Sequence, residues 1–285
     1  MSIKSPALII HVGAGSYPKD LKRAKLIQKK LFEFCKKGYE LLQKKNALET
    51  VTQVVRWLED WPETNAGTGS LLQSDGKARL SASLMDGGAM NFSAVINVEQ
   101  IKNPILVAKL LQKEEERVLS GKGAFNFARK NGFKPCDSRT KDSVRRWKKM
   151  KETGKYGTVG ACALDKNGGL AAATSTGGRG MEQVGRVSDS AMPAGNFANR
   201  FAACSATGVG EDIINEALCS RLAILAEHWN SLGKSFSETF EEAKNRKRRF
   251  AAIGVDRKGN LFWRKTTEIL YYAAQNTERT ETFKF

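Results

Sequence analysis

Histidine is nearly absent. The chain holds two, His11 and His228, which excludes a multi-histidine metal site and leaves a Ser-His-Asp triad only those two to draw on. His228 ends the apolar helix-like run LAILAEHW, where an exposed or capping histidine is the ordinary reading. His11 ends the strand-like ALIIHVGAG and has the better claim on chemistry, yet a lone histidine there is more often structural. A hydrolase built on this chain is expected to use another base. Cysteine is sparse and scattered: Cys35, Cys136, Cys162, Cys204 and Cys219. No pair has CxxC spacing and the number is odd, which argues against a disulfide framework and a structural zinc site. Reduced thiols, mostly in the core, are expected. No stretch approaches eighteen uninterrupted apolar residues, so no membrane helix is expected. The apolar run near the N-terminus is too short for a secretory signal, so a cytoplasmic location is expected.

Basic residues are plentiful. Lys and Arg number 47 against 30 Asp and Glu, a net charge of +17. Such an excess suits an acidic partner or nucleic acid, or only a solvated surface. The two densest runs, RRWKKMK at 145–151 and KNRKRR at 244–249, are thinly interleaved with aromatics (Trp147, Phe250). Nucleic acid is therefore not expected as a partner.

Periodicity gives a coarse map. ALIIHVGAG reads as a strand. Residues 20–46 have apolar positions at helical spacing. NALETVTQVVRWLED opens with Asn46 and Glu49, a capping-box-like start, and Pro62 ends that helix. TGSLLQSDGKARLSASLMDG reads as two strands around Asp75-Gly76. SAVINV is a further strand. NPILVAKLLQKEEERVLS reads as one helix with Pro104 in its first turn, and GAFNFARKNG as a short one. Residues 136–157 are polar and basic, the best candidate for a mobile linker. TVGACALD and LAAATSTGG form a hairpin across KNGG. A loop leads to AACSATGVG, then the helices EDIINEALCSRLAILAEHW and SETFEEAKNRKRR, then strands FAAIGVD and LFWRK. This order implies one α+β domain of two sheets and two helix layers over 1–285.

Several small polar residues could converge: Thr158, the run Thr174-Ser175-Thr176, the Arg186/Asp189 pair, and Thr207-Gly208. Each alone is weak. A threonine at a strand start is usually structural, and Arg186/Asp189 could be an ordinary surface ion pair. SATGVGE before a helix could be a plain turn, or its amides could bind an anion.

Their order and spacing resemble the plant-type asparaginase and isoaspartyl peptidase family of N-terminal nucleophile hydrolases. The resemblance runs through HVGAG, WLEDWPETNAGTGSLLQSDGKARLSASLMDG, NPILVAKLL, GTVGACALDKNGGLAAATSTGG, GRVSDS and SATGVGE, covering nearly the whole chain. It implies a four-layer αββα sandwich. It implies self-cleavage between Gly157 and Thr158, with 1–157 as a first subunit and 158–285 as a second, and a homodimer of cleaved protomers. Thr158 would be the nucleophile and Thr176 its orienting threonine. Arg186 would hold the substrate carboxylate and Asp189 its amine, beside the Gly210 carbonyl. Thr207 and Gly208 would form the oxyanion hole, and Asn65 would support the nucleophile. Carbonyls of Leu58, Glu59, Thr64, Ala66 and Thr68 would bind sodium, with no cofactor needed for catalysis.

The chemistry is consistent with this. A threonine hydroxyl needs a base, and the terminal α-amine created by the cut, with a reference pKa of about 8, can serve. A planar guanidinium grips a carboxylate, so Arg186 with Asp189 would select a zwitterionic head. The expected activity is hydrolysis of L-asparagine and β-aspartyl dipeptides, releasing aspartate. A taspase-like endopeptidase acting on acidic loops is the alternative. The chain departs from the family at Val12 and Ser188, where glycine is usual, and at Thr64, where an aromatic is common. RGMEQVG lacks the usual NK.

Overall fold

The structure, a computed structural model, describes residues 5–18, 20–149 and 157–284. Two sheets organise it. The larger has strand order β12-β11-β1-β5-β6-β2-β3-β4. Its members are β1 (Ala7–Gly15), β2 (Leu80–Asp86), β3 (Asn91–Val98), β4 (Val118–Ser120), β5 (Val159–Leu164), β6 (Leu170–Thr176), β11 (Ile269–Asn276) and β12 (Thr280–Thr282). The smaller has order β10-β9-β8-β7: β7 (Asn196–Ala198), β8 (Ala202–Gly208), β9 (Phe250–Asp256) and β10 (Leu261–Lys265).

Helices cover the larger sheet with apolar stripes. In α1 (Leu21–Leu42) the buried positions are Ala24, Leu31, Cys35, Gly38 and Leu42, a 3–4 spacing that lines up one face. A Cβ on Gly38 would lie 2.6 Å from Leu8 and 2.7 Å from Val54, so only glycine lets α1 close on β1 and α2. Truncating a stripe leucine such as Leu31 costs about 2–5 kcal/mol. In α2 (Ala47–Asp60), the Asn46 side chain caps the Glu49 amide at 2.8 Å, as the sequence predicts. Asp165, in the β5–β6 turn, also accepts from the Ala47 amide, tying that turn to the helix start. On the smaller sheet, α7 (Leu218–His228) and α8 (Leu232–Asn245) bury Leu222, Phe236 and Phe240.

The two sheets face each other through small residues. A Cβ at Gly160 on β5 would stand 2.0 Å from Ser205 Oγ on β8 and 2.4 Å from His11 Nε2. Alanine, glycine and serine in β5, β6, β8 and β9 thus bring polar groups of one sheet against the other.

Several predicted elements differ. Asp75-Gly76 does form a turn, but no strand precedes it. The backbone of Leu72–Ser74 bonds instead to Met181 and Glu182, and the Gln73 carbonyl takes the Trp147 indole N–H. The helix at Pro104 is α3 (Pro104–Leu111) and stops early, because Gln112 turns into β2 and β3 through three side-chain bonds. Residues 118–120 become β4, parallel to β3; α4 (Gly121–Lys130) follows as expected. The single helix from Glu211 is two, α6 (Gly210–Asn215) and α7, broken at left-handed Ala217. The first amides of α7 bond the carbonyls of Pro193 and Ala194 instead of continuing α6. Strands β7, β11 and β12 were not foreseen.

The segment read as a mobile linker, 136–157, carries α5 (Lys141–Lys149). Trp147 packs on Gly76, Arg146 donates to the Gly69 carbonyl, and Ser143 is buried. Residues 150–156 lie outside the described residues. Four of the five cysteines are buried and none is bonded. No helix among the described residues is long and apolar enough to cross a membrane.

Candidate active site

Thr158 stands at the entrance to β5, with its side chain buried. Its Oγ1 donates to Thr176 Oγ1, the last residue of β6, at 3.2 Å, and lies 3.5 Å from Ser190 Oγ. Antiparallel pairing of Val159 with Ser175 sets the two threonines side by side. Thr176 in turn accepts the Gly178 amide at 3.1 Å. Gly157 is buried against Asn65, where an added Cβ would come within 2.8 Å of Asn65 Cβ. Asn65 donates to the Gly178 carbonyl at 2.5 Å and accepts the Leu71 amide, and its own carbonyl receives the Gly177 amide. It therefore clamps both approaches to the threonine pair.

Asp189 opens a short 3-10 turn, Asp189–Ala191, capped by Ser188. Ser188 Oγ donates to Asp189 Oδ1 at 3.1 Å and lies 3.2 Å from Ser190 Oγ. Asp189 Oδ2 is buried with no partner. Burial pushes its carboxyl up to about 6, against the opposing pull of Arg186 and the Ser188 hydroxyl. Arg186 presents Nε to Glu211 at 3.0 Å. A Cβ on Gly210 would meet Arg186 Nη2 at 2.5 Å and Asp189 Oδ1 at 2.7 Å. Glycine there brings the start of α6 against both charges.

Thr207 is two residues beyond Ser205 on the same face of β8, and its Oγ1 is buried with no partner. Gly208 follows at φ +139, with Phe250 and the Arg249 carbonyl too close for a Cβ. An unpartnered hydroxyl is costly to bury; it is of use where a ligand oxygen completes it.

His11 is not a base here. It is fully buried between the sheets, and desolvation drives its pKa down from 6.5 to about 3 despite a backbone contact with Thr158. Nε2 bonds Ser205 Oγ at 2.9 Å, and that oxygen pairs with Thr174 Oγ1 at 2.7 Å. The neutral ring bridges β1 to β8. His228 is exposed at the end of α7, as expected. Glu59 is buried at the opposite side of β6. Its Oε1 accepts from Ser175 Oγ at 2.7 Å and from the Ile105 amide, and burial raises its pKa to about 8.

A sequence model of a protein family described as asparaginase matches residues 4–284. The chain belongs to the asparaginase family. It is 43% identical to the isoaspartyl peptidase/L-asparaginase of Synechocystis sp., over 94% of this chain and 87% of that protein. It is 42% identical to the protein of the same name from Nostoc sp., over 96% and 93%. To the plant-type L-asparaginase of Pyrococcus furiosus it is 35% identical, over 94% and 95%.

For this asparaginase-family chain, the fold brings Thr158, Thr176, Asn65 and Gly157 into direct contact, and Arg186, Asp189 and Gly210 into a second group. Ser188 and Ser190 link Asp189 to Thr158, a role for them that sequence reading missed. The S-D-S pattern, in which a serine side chain can cap a turn two residues on, was the available signal. Glu211, Arg186's partner, was also missed, though it directly follows Gly210.

The sodium loop differs from expectation. Thr64 Oγ1 donates to the Leu58 carbonyl at 2.7 Å and lies 3.0 Å from the Trp61 and 3.4 Å from the Ala66 carbonyl. The Glu59 carbonyl is taken by the Thr68 amide at 2.8 Å. The space on which these carbonyls converge holds the Thr64 hydroxyl, so the loop as folded does not fit a sodium ion. Among the described residues no group of three or more His, Cys, Asp or Glu could hold a metal.

Proposed function

We propose that this chain is a self-activating threonine hydrolase that cleaves the side-chain amide of L-asparagine and the isopeptide bond of β-aspartyl dipeptides, releasing L-aspartate. The observation that carries the reading is the Gly157-Thr158 step: a buried glycine packed on Asn65, followed by a buried hydroxyl bonded to Thr176. The relatives' printed names, isoaspartyl peptidase and L-asparaginase, support the substrate class.

The mechanism follows from the groups present. After the cut, the Thr158 α-amine is the base and its hydroxyl the nucleophile. Thr176 holds Oγ1 in line. Arg186 takes the α-carboxylate and Asp189 the ammonium, helped by the Gly210 carbonyl. The carbonyl oxygen turns negative as Oγ1 attacks, and the Thr207 hydroxyl with the Gly208 amide receives it. Ammonia or an amino acid leaves, and water releases aspartate from the ester. The same reading carries the four-layer αββα arrangement, supported by helices α1 and α2 on one sheet, α7 and α8 on the other, and small residues between. It carries subunits 1–157 and 158–285, and a cytoplasmic homodimer of cleaved protomers.

An endopeptidase acting on acidic loops is less well supported, because Arg186 and Asp189 match the two charges of a free amino-acid head. Nucleic-acid binding finds little support. Trp147 is turned inward to Gln73, and Arg246 and Arg248 are occupied by Glu216, Glu242 and Asp212.

A denaturing gel tests the reading. The purified chain is expected as two fragments meeting at Gly157/Thr158, Thr158→Ala as one band, and the cleaved protein is expected to release aspartate from asparagine and β-aspartyl dipeptide. An uncut chain that releases none refutes it.

A further inference from the structure

The base that serves the mature enzyme does not exist before the cut. In the precursor the Thr158 nitrogen is an amide, tied to Gly157, and cannot take a proton. Self-cleavage needs another acceptor. Histidine is ruled out: His11 is neutral, buried and committed to Ser205, and His228 is exposed at the far end of α7. Thr176 accepts the Gly178 amide and, among the described residues, its hydroxyl leads to no ionisable group.

The other contact of Thr158 Oγ1 does lead to one. From Ser190 Oγ at 3.5 Å the path runs 3.2 Å to Ser188 Oγ and 3.1 Å to Asp189 Oδ1. Each hydroxyl has one proton. Ser188 gives its proton to the carboxylate, the strongest acceptor in reach. Ser190 must then donate to Ser188, which leaves Ser190 Oγ free to accept the Thr158 proton when that hydroxyl rotates away from Thr176. The chain has one direction, and it ends on a carboxylate whose second oxygen is buried and unpartnered.

We propose that Asp189, reached through Ser190 and Ser188, is the proton acceptor for self-cleavage of the precursor. This rests on the threonine-hydrolase reading above. Thr158 Oγ1 bonds to the Gly157 carbonyl carbon, whose π pair moves to oxygen. The hydroxyl proton passes to Ser190, Ser190's to Ser188, and Ser188's to Asp189. Collapse breaks the Gly157–Thr158 C–N bond, and the nitrogen leaves as an amine with the proton that Asp189 returns. Water then adds to the ester and breaks the bond between the Gly157 carbon and Oγ1. The products are the Gly157 carboxyl, the free α-amine and the regenerated hydroxyl.

The charged and titratable groups that face Asp189 are consistent with the role. They are Arg186 from its loop, Glu211 from α6 and the Cys219 thiol from α7. On β2, Asp86 sits at the far end, opposite Ala171, while Ser81 is the residue opposite Thr176. A carboxyl held near pH 6 by burial accepts a proton at neutral pH more readily than an ordinary aspartate. Ser188, standing where the family usually has glycine, acts as a positioning residue.

The test follows the intact full-length chain, freshly synthesised, by denaturing gel and intact mass from pH 5 to 8.5. The wild-type rate is expected to rise about tenfold per pH unit below pH 6 and to flatten above it. Asp189→Asn keeps the shape and an acceptor oxygen but has far less basicity; cleavage is expected to slow by about a hundredfold or more. Ser188→Ala, a milder change, is expected to slow cleavage roughly tenfold with the inflection moved upward, and Ser188→Thr to restore it. Unchanged rates and inflection in both Asp189→Asn and Ser188→Ala would overturn the proposal. If Asp189→Asn does not fold, as judged by melting, Ser188→Ala against Ser188→Thr decides alone. A wild-type chain that never cuts refutes the hydrolase reading instead, so the two failures are distinct.

Discussion

Acid should weaken this protein through His11, and the size of the effect can be worked out. The ring titrates at 6.5 in the unfolded chain and at about 3 in the fold. Between those values the unfolded chain binds a proton that the folded chain refuses, so stability is lost as pH falls through 6.5 toward 3. Going from pH 7 to pH 4.5, the His11 contribution is a loss of roughly 2–3 kcal/mol. Glu59 and Asp189 act with the opposite sign. Their folded values, about 8 and about 6, lie above the ordinary carboxylate range, so each adds stability as pH falls through it. The raw pH profile therefore mixes the three, and the informative quantity is a difference. Urea unfolding should be followed by tryptophan fluorescence in the uncut Thr158→Ala chain, with and without His11→Leu. At pH 7 the His11→Leu change is expected to cost about 1 kcal/mol for the lost Ser205 bond, plus whatever its imperfect fit adds. At pH 4.5 the gap should have moved by roughly 2–3 kcal/mol in favour of the leucine chain. An identical gap at both pH values refutes the argument that His11 is held neutral by burial.

Further outcomes are expected at the site. Thr207→Val keeps the shape of the buried side chain and removes the unpartnered hydroxyl; kcat on asparagine should fall by about 10²–10³ with KM little changed. Gly210→Ala puts a methyl 2.5 Å from Arg186 and 2.7 Å from Asp189, so steady-state kinetics should show KM raised well beyond any loss in kcat. In the cleaved enzyme, kcat/KM for asparagine should fall as pH drops through about 6, because Asp189 must be ionised to hold the ammonium; a profile flat down to pH 5 counts against that role. The melting temperature should be the same in sodium chloride and in choline chloride, while Thr64→Ala, which clears the hydroxyl from the carbonyl nest, should introduce a sodium-dependent rise.

The sequence made the site easier to read than the fold around it. Thr158, Thr176, Arg186 and Asp189 sit in short motifs whose order is diagnostic, and Thr158 and Thr176 also lie at strand ends that periodicity marks. What escaped depends on distant partners. The stretch Leu71–Gln73 looks like a strand, yet its hydrogen bonds go to Met181, Trp147 and Asn65. The helix from Glu211 reads as continuous because nothing local announces that Pro193 and Ala194 will cap its second half. The ILYYAAQN run, absent from the periodicity map, is β11, a neighbour of β1 in the larger sheet. The hydroxyls of Ser188 and Thr64 could be flagged as departures from the family, but their targets, a carboxylate and a ring of carbonyls, are properties of the folded loops.

With two histidines, one of them sealed between the sheets, the chain must find its bases elsewhere, and it must find two. Before the cut, among the described residues, a hydroxyl path from Thr158 Oγ1 runs through Ser190 and Ser188 to the Asp189 carboxylate. The cut then creates an amine on Thr158 itself. From that point a proton acceptor at Asp189 is no longer needed, and its charge is available to a substrate ammonium beside Arg186. Both uses ask for a carboxylate that is buried, close to the nucleophile and not tied up by a strong partner. Arg186 is turned toward Glu211, which keeps it near enough to favour the charged form without closing a direct bridge to Asp189. Removing that restraint offers a way to separate the two uses. Glu211→Gln frees the guanidinium to pair with Asp189, which should lower the carboxyl's pKa and slow self-cleavage at pH 7. It should also raise KM, because the substrate must then displace an internal ion pair from both of its anchors. If Glu211→Gln raised KM and left the cleavage rate and its inflection untouched, Asp189 would be an anchor only.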